Sequence, residues 1–334
     1  MNSTGVSLVI PTYNMASDLE RLLVSLSRLS NITVIKEVIV VNDGSTDDTS
    51  SVIASFSIQH PQLGMREVRL ASRVGRYLAR LEGAKKAHNE NLLFLDTRLE
   101  LPQNFADHLN KLKQDYKVVQ GTVQIKTDES VYSLYWDRSH RKIFQRHFKD
   151  QERGFFLNTE NFESYTCGMG VFLCQKEIFL QACNEIVGVP LSDDREVILT
   201  ICKKINIWVT QELSVLWWPR QNLTDFLSRL WERGITFVEY HVFSHHTFLA
   251  MPVYLGIVIL ALNVVGLFYL PSLFLMLLLA EIILIGLSTF WLTWNIREFI
   301  KLIPLHVLVV LVFGLGVVRG LVVNTIRILV GRKI

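Results

Sequence analysis

Two acidic residues stand where apolar stretches of this chain end, and a third position carries an acidic pair. Asp43 and Asp96 each follow an apolar run that is typical of a buried parallel strand, and Asp193 and Asp194 precede a helical pattern. Open α/β sheets bind ligands at the carboxyl ends of their strands. Carboxylates at such places can hold a divalent cation or accept a proton. The alternative is that these acids are solvated turn residues and helix caps.

The elements that must position these acids follow from the periodicity of the first hundred residues. The strand Val6–Ile10 ends in Pro11-Thr12-Tyr13-Asn14, and an amphipathic helix follows it. Further strands are predicted at 67–70 and 91–95, with a helix at 75–88. Alternating strands and helices predict an α/β fold with a mostly parallel sheet and right-handed crossovers.

Two of these stretches together resemble the family 2 glycosyltransferases. Pro11-Thr12-Tyr13-Asn14 is similar to the family's Pro-x-Tyr-Asn, and 43–47 to its Asp-Gly-Ser-x-Asp. The resemblance runs from about Ser7 to about Tyr240. It implies a GT-A fold and a nucleotide-sugar donor, which is expected to contact Pro11, Thr12, Tyr13 and Asp43. Tyr13 and Asp43 would hold the base and the ribose.

The third motif departs from the family's pattern. Where the family has Asp-x-Asp, which binds a divalent metal, this chain has Asp96-Thr97-Arg98. Asp96 and phosphate oxygens could still hold Mg²⁺ or Mn²⁺. Alternatively, Arg98 contacts the diphosphate directly, or it forms a salt bridge with Asp96 or Glu100.

Arg80 ends a segment that is similar to the family's Gly-x-x-x-Ala-Arg-Asn, although Leu81 stands in the place of Asn. The resemblance implies that Arg80 reaches the nucleotide. Alternatively, Arg76 and Arg80 form a solvated helix face.

The acceptor side is predicted from residues 165–173, where Gly168 would let the backbone come close to a ligand. A tight strand crossing is the alternative. The polar stretch 137–164 is expected to be a long loop that faces the acceptor or the membrane, or else a solvated insertion.

The resemblance also implies a catalytic base at the acidic pair. The family usually has Glu-Asp there, and this chain has Asp193-Asp194, so Asp194 is the expected base and Asp193 supports it. Helix capping is the alternative. Arg233 is expected to contact the diphosphate. Trp231 is expected on the acceptor side, or else at the membrane interface. The Gln-x-x-Arg-Trp spacing of processive relatives is lacking.

Composition divides the chain in two. It has 334 residues, 50% of them hydrophobic, and most of the apolar excess follows Phe248. We therefore expect a GT-A domain at 1–245 and a membrane region at 246–334, with segments at 248–270, 273–294 and 302–323. The net charge of +3 and the absence of a basic stripe argue against nucleic-acid binding.

Cellular placement is inferred from the same patterns. The four cysteines fit no zinc or redox spacing and are expected to pack in the core of a protein in a reducing compartment. No signal peptide is recognised, so the catalytic domain is expected in the cytoplasm, attached to the inner membrane by a multi-pass region. Full crossing by the third segment would place Arg327, Arg332 and Lys333 outside, against the positive-inside tendency, whereas a re-entrant or tilted surface helix would keep them inside.

Together these features predict an inverting glycosyltransferase. It would move a sugar, most simply from a UDP-sugar, to a hydroxyl of a lipid-linked glycan acceptor in polysaccharide biosynthesis. The alternatives are a polyprenyl-phosphate sugar synthase and a catalytically inactive membrane scaffold.

Overall fold

The computed structural model describes residues 5–128, 130–150, 152–186 and 193–329. The chain divides into two compact units. The first comprises Met1–Lys126 and Phe144–Pro219, and the second comprises Thr127–Ile143 and Arg220–Ile334. The second unit therefore takes in more of the chain than the membrane region expected at 246–334.

One sheet organises the first unit. Its strands among the described residues are β1 (Val6–Thr12), β2 (Ile35–Asn42), β3 (Met65–Arg69), β4 (Asn91–Leu95), β5 (Leu99–Glu100), β6 (Val118–Ile125), β7 (Phe155–Leu157), β8 (Val171–Gln175) and β9 (Ile207–Trp217). They lie in the order β3-β2-β1-β4-β8-β6-β9-β5, and β7 pairs with β9. The neighbours from β3 to β4 are parallel, whereas β8 is antiparallel to β4 and to β6.

The parallel strands end together at one edge of the sheet. Every residue of β1 and β4 is buried, as expected for apolar strands that are covered on both faces. Thr12 pairs with Asn42 in register, so the loops that follow β1 and β2 lie side by side. This edge carries Tyr13, Asp43 and Asp96.

Helices cover both faces of the sheet. The first unit contains α1 (Ala16–Ser27), α2 (Thr49–Gln59), α3 (Arg76–Lys86), α4 (Phe105–Asp115), α6 (Gln145–Asp150), α7 (Lys176–Glu185) and α8 (Asp193–Cys202). Buried side chains of α1, α2 and α4 share one apolar cluster with the sheet, and those of α3, α7 and α8 share a second cluster. The α/β fold class that the periodicity predicts is confirmed.

The second unit is helical in its described part. It contains α5 (Val131–Ile143), α9 (Leu223–Val238), α10 (Met251–Tyr269), α11 (Pro271–Thr293) and α12 (Ile296–Leu329), and a π-helical segment spans Glu239–Ser244. The prediction of one long loop at 137–164 is wrong. Residues 137–143 continue α5, because its aromatic side chains pack on Phe226, Leu302 and Leu305.

The helices α10, α11 and α12 are long and apolar enough to cross a membrane. Two of them match the predicted segments closely, with Pro271 opening α11 after the break. The third is longer than the predicted segment at 302–323, since α12 begins at Ile296 and takes in Arg297 and Lys301. Glu281 of α11 accepts a hydrogen bond from Asn263 of α10 at 2.6 Å, so this carboxylate within an apolar helix has a polar partner.

Candidate active site

A buried guanidinium joins two of the predicted carboxylates. Arg80 of α3 is 1% exposed, and its Nη2 lies 2.8 Å from Asp96 Oδ1, after β4. Its Nη1 lies 2.5 Å from Asp194 Oδ1, in the first turn of α8. Three elements that are distant in sequence therefore meet at this side chain. The alternative of a solvated helix face is wrong for Arg80, whereas Arg76 is exposed.

Asp194 lies in a strongly positive environment. Burial on its own would raise the pKa of this carboxyl, but the charges of Arg80 and Arg76 and the backbone N–H of Met169 lower that pKa to about 2. The Met169 N–H donates to Asp194 Oδ2 at 3.1 Å. Asp194 is therefore ionised at neutral pH, and 18% of its side-chain surface stays exposed.

The region before this pair is not described. Residues 187–192 and the side chain of Asp193 lie outside the described part of the chain. The supporting role of Asp193 therefore stays a prediction.

Asp43 holds the start of the helix that carries Arg80. Its Oδ1 accepts from the N–H of Val74 at 2.7 Å, and its Oδ2 accepts from the N–H of Gly75 at 2.9 Å. Gly75 has a φ of +94°, a conformation that favours glycine. Asp43 is 4% exposed, so one buried carboxylate fixes the backbone entry into α3.

The loop after β1 is tied to the loop after β2. The backbone N–H of Asn14 donates to Ser45 Oγ at 3.0 Å, and Asn14 Oδ1 accepts from the N–H of Thr46 at 2.8 Å. Beside this connection, the Arg73 guanidinium lies 4.5 Å from the centre of the Tyr13 ring. The half-buried Tyr13 ring therefore already stacks with a cation.

Pro11 and Thr12 contribute to the same edge through buried atoms. The Thr97 hydroxyl donates to the carbonyl oxygen of Pro11 at 2.9 Å, which links the ends of β1 and β4. Thr12 Oγ1 is buried and has no hydrogen-bond partner among the described residues. Pro11 and Thr12 are buried at this edge of the sheet. Contact of either residue with the nucleotide-sugar donor stays a prediction.

Arg98 has an acidic partner that the sequence did not indicate. Its Nε lies 3.6 Å from Asp18 Oδ2 of α1, and 15% of its side-chain surface is exposed. A salt bridge to Asp96 or Glu100 was among the expected alternatives, and Asp18 adds a carboxylate of helix α1 beside Arg98.

Few of the described side chains at this site could coordinate a metal ion. Among the described residues, no three His, Cys, Asp or Glu side chains come together as a group that could hold a metal ion. Asp96 gives one oxygen to Arg80 and keeps 30% of its side-chain surface exposed. One carboxylate can hold Mg²⁺ or Mn²⁺ where phosphate oxygens and water complete the coordination.

Two glycines lie against the two carboxylates. A Cβ on Gly168 would lie 3.8 Å from Asp194 Oδ2, and a Cβ on Gly170 would lie 3.6 Å from Asp96 Oδ2. The backbone N–H of Asp96 donates to the carbonyl oxygen of Gly170 at 3.0 Å. Gly168 thus lies beside the expected base.

Arg233 and Trp231 belong to the second unit. The Arg233 guanidinium lies 4.1 Å from the Trp136 ring centre, and Arg319 of α12 lies 5.1 Å from that of Trp231. Trp231 is 37% exposed. Their predicted contacts with donor and acceptor stay predictions.

Sequence reasoning missed three residues around the site, namely Arg73, Asp18 and Met169. Arg73 is in an irregular segment, and Asp18 is an ordinary helix-start acid. Met169 contributes a backbone N–H, and such a contact cannot be predicted from the residue type. The proximity of Gly168 to Met169 was the available signal for a close backbone approach.

The four cysteines belong to no cluster of potential metal ligands among the described residues. Cys174, Cys183 and Cys202 are buried, Cys167 is half-buried, and all four are free thiols. Burial raises the pKa of Cys202 to about 12 and that of Cys183 to about 11, so these thiols are poor nucleophiles at neutral pH.

Comparison with known proteins places the chain in a family. The sequence model of Glycosyl transferase family 2 matches residues 7–175. A validoxylamine A glucosyltransferase from Streptomyces hygroscopicus is 40% identical over 92 residues, which are 28% of this chain and 21% of that protein. An undecaprenyl-phosphate 4-deoxy-4-formamido-L-arabinose transferase from Sodalis glossinidius is 28% identical over 148 residues, 44% of this chain and 45% of that protein. The matched part thus spans less than half the length of these relatives.

Solved structures agree on the fold. The mannosyltransferase PcManGT from Pyrobaculum calidifontis, in complex with GDP-Man and Mn²⁺, has a TM-score of 0.60 at 14% identity. The superposition covers 95% of this chain and 86% of that one. Residues 1–349 of S. aureus TarS, in complex with UDP-GlcNAc, give a TM-score of 0.53 at 15% identity, covering 94% and 89%. These likenesses show the GT-A fold, and the family match over half of the chain shows that it belongs to glycosyl transferase family 2.

Proposed function

We propose that this chain transfers a sugar from a nucleotide-sugar donor, in the first instance a UDP-sugar, to a lipid-linked acceptor in polysaccharide biosynthesis. The observation that carries the proposal is the joining of Asp96 and Asp194 by the buried Arg80. Donor and acceptor groups would meet at this point. The tied loops that carry Tyr13 and Asp43 would bind the nucleoside at the same sheet edge.

The donor diphosphate would lie at Asp96 and Arg98. When bound, Mg²⁺ or Mn²⁺ would be held by Asp96 and would neutralise the diphosphate charge. Arg98 would contact phosphate oxygens beside it. The side chain of Arg73, near Tyr13, would add positive charge toward the leaving nucleoside diphosphate.

The acceptor hydroxyl would attack the anomeric carbon from the side of Asp194. As the new C–O bond forms, the nucleoside diphosphate leaves with the electron pair of its bond, and Asp194 accepts the hydroxyl proton. A single displacement of this kind inverts the configuration at the anomeric carbon. Gly168 would leave room for the acceptor next to Asp194 Oδ2.

A second acceptor is favoured by the electrostatics of Asp194. A carboxyl with a pKa of about 2 is a weak proton acceptor. An acceptor phosphate arrives ionised and needs no strong base, and several of the relatives are named undecaprenyl-phosphate sugar transferases. In that case, Asp194 would mainly hold Arg80, and the product would be a polyprenyl-phosphate sugar.

One experiment separates these acceptors. Membranes that carry the wild type or Asp194→Asn are given labelled UDP- and GDP-sugars with Mn²⁺ or EDTA, and label in the lipid extract is counted. Hydroxyl transfer predicts a loss of about 10²–10⁴-fold in Asp194→Asn. Phosphate transfer predicts that much of the activity survives.

A matched variant controls for expression and folding. Asp115→Asn removes an exposed carboxylate at the end of α4 and should transfer label like the wild type. If no donor yields label and no nucleotide binds, the proposed transfer is wrong and an inactive scaffold is favoured.

A further inference from the structure

The end of α5 and the junction between α11 and α12 form a cationic surface in the second unit. This basic surface comprises Arg138, Arg141, Lys142, Arg297 and Lys301. Arg141, Arg297 and Lys301 are exposed, and the other two are half-buried.

Polar contacts fix α5 to the long apolar helices. Arg138 binds Glu298 of α12 through two bonds, Nε to Oε2 and Nη2 to Oε1, each 2.8 Å long. The Tyr135 hydroxyl lies 2.7 Å from His306 Nδ1, and His306 Nε2 lies 3.0 Å from Ser288 Oγ of α11. The position of α5 along α11 and α12 is therefore set by directed bonds.

Tryptophans mark the depth of this surface. Lys142 Nζ lies 5.7 Å from the Trp291 ring centre and 5.3 Å from that of Trp294. The two indoles are 44% and 65% exposed, at the end of the apolar helix α11. Exposed tryptophan at the end of such a helix is typical of the zone between hydrocarbon and headgroups. With α11 in a membrane, the basic surface would lie at the level of the headgroups.

The charge of this surface is unbalanced. Its two acids, Asp137 and Glu298, already have arginine partners: Asp137 Oδ1 lies 2.8 Å from Arg141 Nε, and Asp137 Oδ2 lies 2.7 Å from Arg138 Nη1. The excess positive charge is carried by Lys142, Arg297 and Lys301. These side chains are long enough to extend toward phosphate while their stems lie on apolar surface.

We propose that the basic surface binds the headgroups of anionic phospholipids and so rests α5 on the membrane surface. The complementary charge and the adjoining tryptophans favour lipid as the occupant, because both features match the interfacial zone. This interaction does not depend on the proposed glycosyl transfer.

The test uses the purified full chain in a zwitterionic detergent. Short-chain phosphatidylglycerol is titrated in, and the thermal unfolding midpoint is followed, because a ligand that binds the native state raises it. A triple variant, Lys142→Gln with Arg297→Gln and Lys301→Gln, is compared with the wild type. Each removed cation should weaken binding about fivefold, so the half-saturating lipid concentration should rise by about 100-fold.

Two controls make the test decisive. Short-chain phosphatidylcholine should produce a smaller shift in the wild type, and added salt should diminish the shift from phosphatidylglycerol. A charge-matched variant with Arg28→Gln, Lys117→Gln and Lys203→Gln removes exposed cations of the first unit and should respond like the wild type.

An unchanged response of the triple variant, or an equal loss in the charge-matched variant, would overturn the proposal. An equal shift from phosphatidylcholine would do so too. If the triple variant is unfolded without lipid, the single variant Lys301→Gln replaces it, with an expected rise of about fivefold.

Discussion

Arg80 and Asp194 form a buried ion pair, with 2.5 Å between Arg80 Nη1 and Asp194 Oδ1. The same guanidinium binds Asp96 at 2.8 Å. Arginine suits this position because its planar fork can serve two carboxylates at once and stays charged when buried. The site thus has an internal counter-ion, which sets both its geometry and the acidity of Asp194.

Removing Arg80 should damage both stability and transfer. Arg80→Leu leaves two carboxylates without their common partner, and we expect the free energy of unfolding to fall by about 3–5 kcal/mol. Arg80→Lys keeps the charge but loses the fork, so it should fold better yet lose most of the transfer activity. Thermal unfolding and the labelled-sugar assay measure the two effects.

Arg28→Lys is the conservative control, since Arg28 is exposed after the end of α1. It should leave both measurements unchanged. Full activity in Arg80→Lys would show that charge alone, without the fork, is what the site requires.

Glu37 should make the protein sensitive to acid. This buried carboxylate of β2 accepts from the Ser7 hydroxyl and the His88 N–H and pairs with Arg66. Burial on its own would raise its pKa, but these bonds lower that pKa to about 2. Because the folded-state pKa lies below the unfolded one, the stabilisation is complete above about pH 4.5 and is lost as the pH falls toward 2.

Glu37→Gln should therefore lower the free energy of unfolding by roughly 3 kcal/mol at pH 7 and flatten its decline between about pH 4.5 and 2. Thermal unfolding at a series of pH values measures both changes. Glu20→Gln, at an exposed position on α1, should follow the wild-type curve. If the free energy of unfolding of Glu37→Gln declined with pH in parallel with that of the wild type, the lowered pKa of Glu37 would be contradicted.

The crossing of α9 and α12 should tolerate no added side chain. A Cβ on Gly234 would lie 2.2 Å from the backbone carbon of Gly316, so Gly234→Ala must push the helices apart. We expect a loss of about 1–3 kcal/mol, seen as a lower unfolding midpoint in detergent.

Gly256→Ala is the matched control, because no atom lies within 4 Å of a Cβ at this position in α10. Its midpoint should stay the same or rise slightly, since alanine favours helix over glycine. Equal midpoints for the two alanine variants would argue against the close crossing.

Arg98→Asp should increase the contribution of metal to nucleotide binding. It places a second carboxylate two residues from Asp96, and hard cations favour more oxygen ligands. Calorimetric titration of UDP should show a larger gain in affinity on replacing EDTA with Mn²⁺ than in the wild type. Arg98→Asn removes the guanidinium without adding a carboxylate and should not show this gain.

Local sequence patterns were sufficient to predict the parallel strands of the α/β domain and the strand ends that carry its acidic residues. Apolar runs such as Val38–Val41 have only one way to be buried on both faces, so local pattern and fold agree. The three apolar stretches were also found from composition alone, since length and hydropathy are local properties. The motifs at Tyr13 and Asp43 indicated the family, since each motif is a short run of neighbouring residues.

Tertiary structure decided which side chains meet. Arg80 looked equally suited to a solvated helix face, and only its burial between α8 and the end of β4 makes it the partner of Asp194 and Asp96. Asp18 beside Arg98 follows from the packing of α1. Residues 137–143 were predicted to be loop because they are polar. The sequence does not show which surface the neighbouring aromatic side chains of α5 pack on. Such contacts join residues far apart in the chain, so their energies appear in no local pattern.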